Sequence, residues 1–587
     1  MNDSKKTTKK SQLSLRAQIS LDNFRHRLAH LDALPQLTLL GLISGVLAAL
    51  VIVLFRLAVE FPLNFFLEGG NENFEGLAVH WRFLLPIIGA IILIGITSLF
   101  KPEHRQISVG HVIERLNNHQ GQLPIQNWLL QFFGGITTLL TGQSMGREGP
   151  AVHLGAGIAS QLGQWMKLPN NSLRTLVGCG VASAIAASFN TPMAGVIFAM
   201  EVVLMEYTIA GFVPVMMASV TGAVVAQYIF SSEPIFAITS IQINTLNELP
   251  IIIIAGLVVA LFASTIIRTQ LWFNEKKHWP MPVRFLIAGT ATGVIAIFLP
   301  QILGVGYDTI ESAILGKIGF EILIAILFAK ILATAISSGF GLPGGIIGPM
   351  LFIGGILGGI LGFTANLFFP ETSSSSSFYV LLGMAAMMAA VINAPLAALI
   401  TVLELTYNPH IIFPTMLIIV ISVVATRQLF NCQGIFIAQL EANGFKATGG
   451  PVQQALIRVG VRSVMDINFK NCPTELSFAR IKTILSQRPK WLTLESNDEN
   501  KTLLAAADIS AYLDTLEFEE EDMINLLEAP CRKWQMKPIN EQSNLYEARK
   551  YLQEDKADAL YVERQTSHFL SPVLGVITMD KIDSYYS

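Results

Sequence analysis

The stretch GREGPAVHLG, residues 146–155, sets Arg147 beside Glu148 between apolar runs and follows them at once with Gly149 and Pro150. A carboxylate buried in a membrane costs about 2.5–3.5 kcal/mol on insertion scales, so a chain that carries one there has a use for it. A second break, GGIIGPM at 344–350, repeats the Gly-Pro step before another apolar run. A helix N-terminus presents free N–H groups and roughly +0.5 of an elementary charge, and glycine lets a ligand come close to it. Two such ends facing one another would solvate a small anion without any fixed full charge. That suits transport, because a bare Lys or Arg in low dielectric would hold the anion too tightly for release. On this reading Gly146, Arg147, Gly149 and Gly345 frame an anion site, and Glu148 is the acid that competes with the anion for it.

The elements that must position these residues are membrane helices. Of 587 residues, 52% are hydrophobic and 14% charged, which excludes a single soluble globule. Of the 81 Asp, Glu, Lys and Arg residues, 37 fall in 451–587 and 10 in 1–32, leaving 34 for the 418 residues between. Apolar runs near 37–59, 83–100, 211–230, 249–267, 284–300, 319–336 and 411–426 approach or reach the ~20 residues of a spanning helix. Segments at 146–165, 190–204, 341–366 and 391–405 are interrupted by Gly and Pro, so they must pack inside protein or line an aqueous path.

An internal repeat strengthens this picture. GVASAIAASFNTPMAGVIFAME (180–201) and GMAAMMAAVINAPLAALITVLE (383–404) share Gly180, Asn190, Pro192 and Glu201 with Gly383, Asn393, Pro395 and Glu404 at matched spacing. Each copy has a Gly-Pro break upstream, at Gly149-Pro150 and Gly348-Pro349. Duplicated halves with interrupted segments at corresponding places point to a binding site near the membrane midplane.

The seven Lys and Arg residues between Lys5 and Arg27 precede the first apolar run and mark 1–33 as a tail held in the cytoplasm. ETSSSSSF (371–378) reads as a flexible surface connection. After Gly449-Gly450 the pattern changes to short strands and amphipathic helices. VRSVMDI, a helical stretch near 477–487 and WLTLE form one α/β unit; MKPINEQSNLYEARKYLQEDKADALYV and VLGVITMDKI form a second, with an acidic connector at 517–522 between them. The expected divisions are a tail over 1–33, a membrane domain over 34–445, and α/β units over 455–515 and 530–587. The four cysteines lie far apart without CxxC spacing, which points to isolated thiols and to no metal site. No basic tract is long enough for nucleic acid, and no nucleophile triad or phosphate-cradling loop suggests catalysis.

GREGP with GGIIGP, the paired FNTPMAG and INAPLAA, and the terminal GIFIAQLEANG together resemble the CLC family of chloride channels and chloride/proton exchangers. The likeness runs from about residue 35 to 587, and the tail is similar to the paired CBS domains of many members. The resemblance implies an all-α polytopic membrane protein of CLC fold, with two inverted-topology repeats of interrupted helices, followed by a small α/β CBS pair. It also implies a homodimer in the bilayer, chloride and similar anions as the permeant ions, no required cofactor, and a bacterial inner membrane with tail and CBS pair cytoplasmic.

Carried onto this chain, the resemblance makes Glu148 the gating carboxylate. It gives Ile346 and Ile347 backbone amides that donate to chloride, and Ser108 a chloride-binding hydroxyl. Three departures stand out. The usual Gly-Ser-Gly-Ile-Pro is replaced by Ile107-Ser108-Val109-Gly110-His111; Phe436 takes the place of a tyrosine; and Val202 occupies the position where exchangers carry a proton-relaying glutamate. A proton cannot hop through valine, so uncoupled, channel-like conduction is expected, with chloride/proton exchange through another internal path as the alternative. Glu201 and Glu206 are the nearby acids, and the repeat partner Glu404 favours a helix-end role for Glu201. In the tail, Asp508, Thr578 and Asp580 are candidate contacts for an adenine nucleotide. Lys581 stands where the second unit's pattern asks for Asp. A third class, a membrane-anchored sensor that answers to nucleotide, follows from that tail.

Overall fold

The computed structural model describes residues 34–67, 73–230, 236, 243–370, 374–445, 451–495, 501–515, 519–554, 557–564 and 573–586; the basic tail expected over 1–33 lies outside them. Backbone packing divides the chain into one unit of Leu37–Trp165 and Arg174–Ala447 and another that holds Met166–Leu173 and Thr448–Ser587.

In the first unit, nine of the described helices are long and apolar enough to cross a membrane, including Leu34–Phe66, Asn170–Phe189 and Ile347–Phe368. Glycine brings them into backbone contact: a methyl on Gly41 would lie 2.6 Å from Pro214 O, and one on Gly45 would lie 2.8 Å from Ala218 O. Small residues at such crossings allow the close van der Waals packing that holds helices together in lipid.

The sequence repeat is a repeat of backbone geometry. Asn190 and Asn393 both adopt left-handed backbone, with φ of 57° and 62°. Asparagine tolerates that region better than most side chains, so it ends the helices Asn170–Phe189 and Ser376–Ile392. Pro192 and Pro395 then open the next helices at the position where a missing N–H is harmless. The matched glutamates explain the rest. Glu404 accepts from the amides of Met193 and Ala194 at 2.9 and 2.8 Å, and Glu201 accepts from Leu396 and Ala397 at 3.3 and 2.7 Å. Each acid therefore caps the helix start of the other half.

The serine-rich segment departs from expectation. Ser374 is fully buried and donates to Glu248 at 2.7 Å, and Ser375 caps the helix that begins at Ser376; residues 371–373 lie outside the described ones. A hydroxyl that finds a buried carboxylate or a helix start is ordered by it, whatever its composition suggests.

Among its described residues the second unit carries eight strands: β1 (Phe469–Pro473), β2 (Glu475–Ser477), β3 (Trp491–Glu495), β4 (Lys501–Ala505), β5 (Met523–Asn525), β6 (Lys533–Asn540), β7 (Ala559–Glu563) and β8 (Val573–Thr578). Six form one sheet in the order β1-β3-β4-β6-β7-β8. β1 runs parallel to β3 and β3 antiparallel to β4; β6 runs parallel to β7 and β7 antiparallel to β8, so the sheet holds the same motif twice. A helix follows each motif's first strand and another closes it, and each half has its own apolar core, around Ile481, Leu494 and Ile509 and around Leu545, Leu560 and Ile577. This duplicated α/β unit is consistent with a CBS pair. VRSVMDI contributes a short helix, Val461–Val464, rather than a strand, and Asp466 makes an isolated antiparallel bridge to Val576.

Candidate functional site

The two Gly-Pro breaks meet. Gly146 N–H donates to Gly345 O at 2.8 Å and Gly345 N–H donates to Gly146 O at 2.7 Å, a reciprocal antiparallel pair between the two halves of the chain. From this pair two helices depart, Glu148–Trp165 and Ile347–Phe368. Glycine is required by closeness here: a methyl on Gly149 would lie 2.5 Å from Gly344 O, and one on Gly345 would strike the Gly149 amide.

Glu148 is 3% exposed, and its carboxylate lies in the cradle these glycines leave. A methyl on Gly345 would come 2.7 Å from Glu148 Oε2, one on Gly348 would come 2.6 Å from Oε1, and one on Gly146 would overlap the carboxylate. The acid thus occupies the space between two helix starts, where the N–H groups of the first turn have no intrahelical acceptor and favour negative charge.

An open cavity of about 620 Å³ approaches this point and is lined by Ser108, Gly344, Ile346 and Phe436 among others. A small void of about 30 Å³ lies beside Glu148 and is lined by Phe189, Thr191, Phe198 and Ile347. The consecutive residues Ile346 and Ile347 thus border the cavity and the Glu148 void respectively. The structure therefore brings together Ser108, Gly146, Glu148, Gly149, Gly345, Ile346, Ile347 and Phe436, which are scattered over more than half the chain.

Two of the candidates behave differently from a simple reading. Ser108 has φ of 75°, a strained value for a residue with a side chain, and its N–H donates to Gln131 Oε1 at 2.9 Å. The amide of Ser108 is thereby committed to a side chain, and the hydroxyl is what it can offer an anion. Arg147 reaches a more distant acid. Its guanidinium meets Glu60 at 3.3 Å and lies over the rings of Phe189 and Tyr307, at 4.8 and 5.8 Å from their centroids.

Val202 is buried in a π-helical turn, Ala199–Leu204. Neither nearby acid is idle: Glu201 holds the two amides already described, and Glu206 stands 3.8 Å from Arg174. In the second unit Asp508 and Asp580 occupy the first turns of helices Ala506–Asp514 and Met579–Tyr586, and Thr578 ends β8. Lys581 lies 3.8 Å from Asp466, which also accepts from Lys490 at 2.7 Å and from Trp491 Nε1 at 3.2 Å.

Two features escaped the sequence reading. His111 Nδ1 and His153 Nε2 lie 2.8 Å apart, both rings buried, joining the helices that begin at Ser108 and Glu148. Nothing in the sequence links positions so far apart. Lys330, fully buried, donates to the carbonyls of Ile302 and Gly304 at 2.9 and 2.8 Å. It thereby fixes the turn whose Val305 packs against Gly348. A lone lysine inside the apolar run 319–336 was a legible signal, since ionisable residues at such depth are rarely idle.

Duplicated halves, interrupted helices meeting at paired glycines and a carboxylate between their ends define a membrane anion transporter of the CLC fold. The chain belongs to the voltage gated chloride channel family, whose model matches residues 88–427. It is similar to the H(+)/Cl(-) exchange transporter ClcA of Vibrio cholerae serotype O1 (strain M66-2), at 27% identity over 412 residues, 68% of this chain and 87% of that protein. The ClcA of Salmonella paratyphi B (strain ATCC BAA-1250 / SPB7) is likewise 27% identical, over 406 residues, 66% of this chain and 85% of that one. Among solved structures, a slow cyanobacterial Cl-/H+ antiporter matches with TM-score 0.60 and 22% identity over 69% of this chain and 97% of its own. A eukaryotic CLC transporter matches with TM-score 0.57 and 18% identity, over 93% of this chain and 97% of its own. Members of the family are channels and transporters, not enzymes.

Proposed function

We propose that this protein conducts chloride and similar anions across the membrane, with Glu148 as gate and with flux not stoichiometrically tied to protons. The observation that carries the gate is the position of the Glu148 carboxylate between the helix start at Gly146 and the helix start at Gly345 and Gly348. Ionised, it competes with the anion for the same positive helix ends; protonated or swung aside, it leaves them to chloride. An anion from the cavity would pass the Ser108 hydroxyl and the Phe436 ring before reaching the first-turn amides of Ile346 and Ile347.

Uncoupled flux is inferred from Val202, with Glu201 engaged as a helix cap and Glu206 beside Arg174. Proton-coupled exchange is the second reading, favoured by the exchanger names of the similar ClcA proteins. One measurement separates them. With purified protein in liposomes under a chloride gradient, the reversal potential should ignore an imposed pH gradient; a stoichiometric shift with pH would reject uncoupled conduction in favour of exchange. We take the working form to be a homodimer in a bacterial inner membrane, with the tail and the α/β unit cytoplasmic. Adenine nucleotide at Asp508, Thr578 and Asp580 is the ligand to test on that unit, and absence of nucleotide-dependent thermal stabilisation would remove it.

A further inference from the structure

Lys330 stands within the apolar helix Phe320–Gly339 and is fully buried. Its ammonium carries three N–H groups, and the turn that follows the helix Met281–Phe298 offers three acceptors: Ile302 O at 2.9 Å, Gly304 O at 2.8 Å and Val305 O at 3.4 Å. Left-handed backbone at Gly304 and Gly306, with φ of 59° and 83°, folds this turn so that the three carbonyls converge on one cation. A buried carbonyl left without a donor keeps its full desolvation penalty, so a group with three donors suits the place. The centroid of the Phe352 ring lies 4.5 Å from the same ammonium, a cation–π contact.

The same turn is a wall of the Glu148 cradle. A methyl on Gly348 would meet Glu148 Oε1 at 2.6 Å and Val305 Cγ1 at 2.8 Å, so the carboxylate and the valine side chain border one point. A methyl on Gly306 would strike the Phe352 ring at 2.6 Å, and Phe352 lies one turn after Gly348 on the helix Ile347–Phe368. Lys330 therefore touches both the turn that bears Val305 and the helix whose start bears on the carboxylate. The charged groups around this region are Asp308, near enough to Lys330 for their charges to interact, with Glu75 beyond it; Arg147, which meets Glu60 and lies over Tyr307; and Arg56, which donates to Glu60 at 3.0 Å.

We propose that Lys330 is a positioning residue for the gate: by gathering three carbonyls it holds Val305 against the Glu148 carboxylate and keeps that carboxylate seated at the helix starts. The inference rests on the reading of Glu148 as the gate. Lys330 acts through Val305 and Glu148 rather than on the anion, so its charge is spent on backbone dipoles and does not trap chloride. Two effects of the ammonium point the same way. Its three hydrogen bonds fix the wall, and its charge, little screened inside protein, favours an ionised carboxylate over a protonated one. Without it the carbonyls of the turn lose their donors, Val305 is released from Gly348, and the carboxylate leaves its seat more readily.

The test is chloride efflux from liposomes holding the purified full chain, over a pH series. Lys330→Met keeps the length of the side chain and removes its ammonium. It should raise flux at neutral pH by about tenfold, the scale of one lost charge-assisted hydrogen bond, and the rise of flux on acidification should begin at higher pH. Val305→Ala trims the wall while leaving Lys330 and its partners in place, so it answers the question even if Lys330→Met fails to fold; it should move flux in the same direction by a smaller factor. Introduced into Glu148→Gln, each change should alter flux by less than about twofold, because the carboxylate on which both act is gone. Equal effects with and without the Glu148 carboxylate would reduce Lys330 to a structural residue and overturn the proposal, as would wild-type flux and pH response in both single variants. A Glu148→Gln protein that keeps the wild-type pH response would instead refute the gate itself, and this inference with it.

Discussion

Gly146 and Gly345 exchange both backbone hydrogen bonds, and this single pair fixes the two interrupted helices against each other. Because it is made of main-chain groups it holds the helix starts without any side chain in the way, which leaves the Glu148 carboxylate as the group that fills the cradle.

Removing that carboxylate should change the response to pH. In wild type, flux should rise as the solution is made more acid, because a protonated carboxyl no longer competes with the anion for the positive helix ends. Glu148→Gln should flatten this rise and leave flux high at neutral pH. Liposome chloride efflux over a pH series reads it, and a variant with the wild-type slope would remove Glu148 from the gate.

Gly345→Ala should damage both fold and transport. The added methyl would strike the Gly149 amide and come 2.7 Å from Glu148 Oε2, contacts that neither backbone nor carboxylate can yield cheaply. Overpacking of this kind costs about 1–3 kcal/mol. Thermal unfolding in detergent and chloride flux should both drop; a variant that melts and conducts like wild type would mean the helix starts are looser than this geometry allows.

Glu201 and Glu404 should act alike, although only one lies beside the exchangers' proton-relay position. Each carboxylate accepts two amide hydrogen bonds at a helix start. Glu201→Ala and Glu404→Ala should each cost about 1–3 kcal/mol through unsatisfied amides. Proton movement per chloride should be unchanged in both. If Glu201→Ala alone altered proton movement while stability held, Glu201 would be a relay rather than a cap.

Asp466 should make the α/β unit sensitive to acid. Burial raises its carboxyl, but hydrogen bonds from Lys490 and Trp491 and the charges of Lys490 and Lys581 outweigh that and hold it below the ordinary carboxylate value. A carboxyl depressed on folding stabilises the fold above its unfolded pKa, and that stability is lost as pH falls through the folded pKa. Asp466→Asn should therefore weaken the unit at neutral pH, and the gap from wild type should close in acid. Hydrogen exchange over 461–495 and 573–586 in the full chain measures this; a gap constant with pH would rule the ion pairs out as its source.

Some of this architecture was visible in single residues. Gly149-Pro150 and Gly348-Pro349 announced two helix starts, and the Asn-x-Pro steps at 190 and 393 announced two breaks. A proline's missing N–H and an asparagine's tolerance of left-handed backbone act on the residue's own dihedrals, whatever surrounds it. The Glu201 and Glu404 match was visible too, as an equality of spacing. It pointed to a helix-end role; which helix start each acid caps was not legible, because the capped amides lie in the opposite half of the chain.

The sequence by itself therefore determined where the helices begin and end, which segments are doubled and which acid sits at a helix start. Only the tertiary structure decided that Gly146 bonds Gly345, that Gln131 takes the Ser108 amide, that Arg147 turns to Glu60 and that His111 meets His153. The physical reason is range. Backbone dihedrals and hydropathy are written locally, whereas hydrogen bonds and charges choose partners by distance after packing, and packing depends on every helix at once.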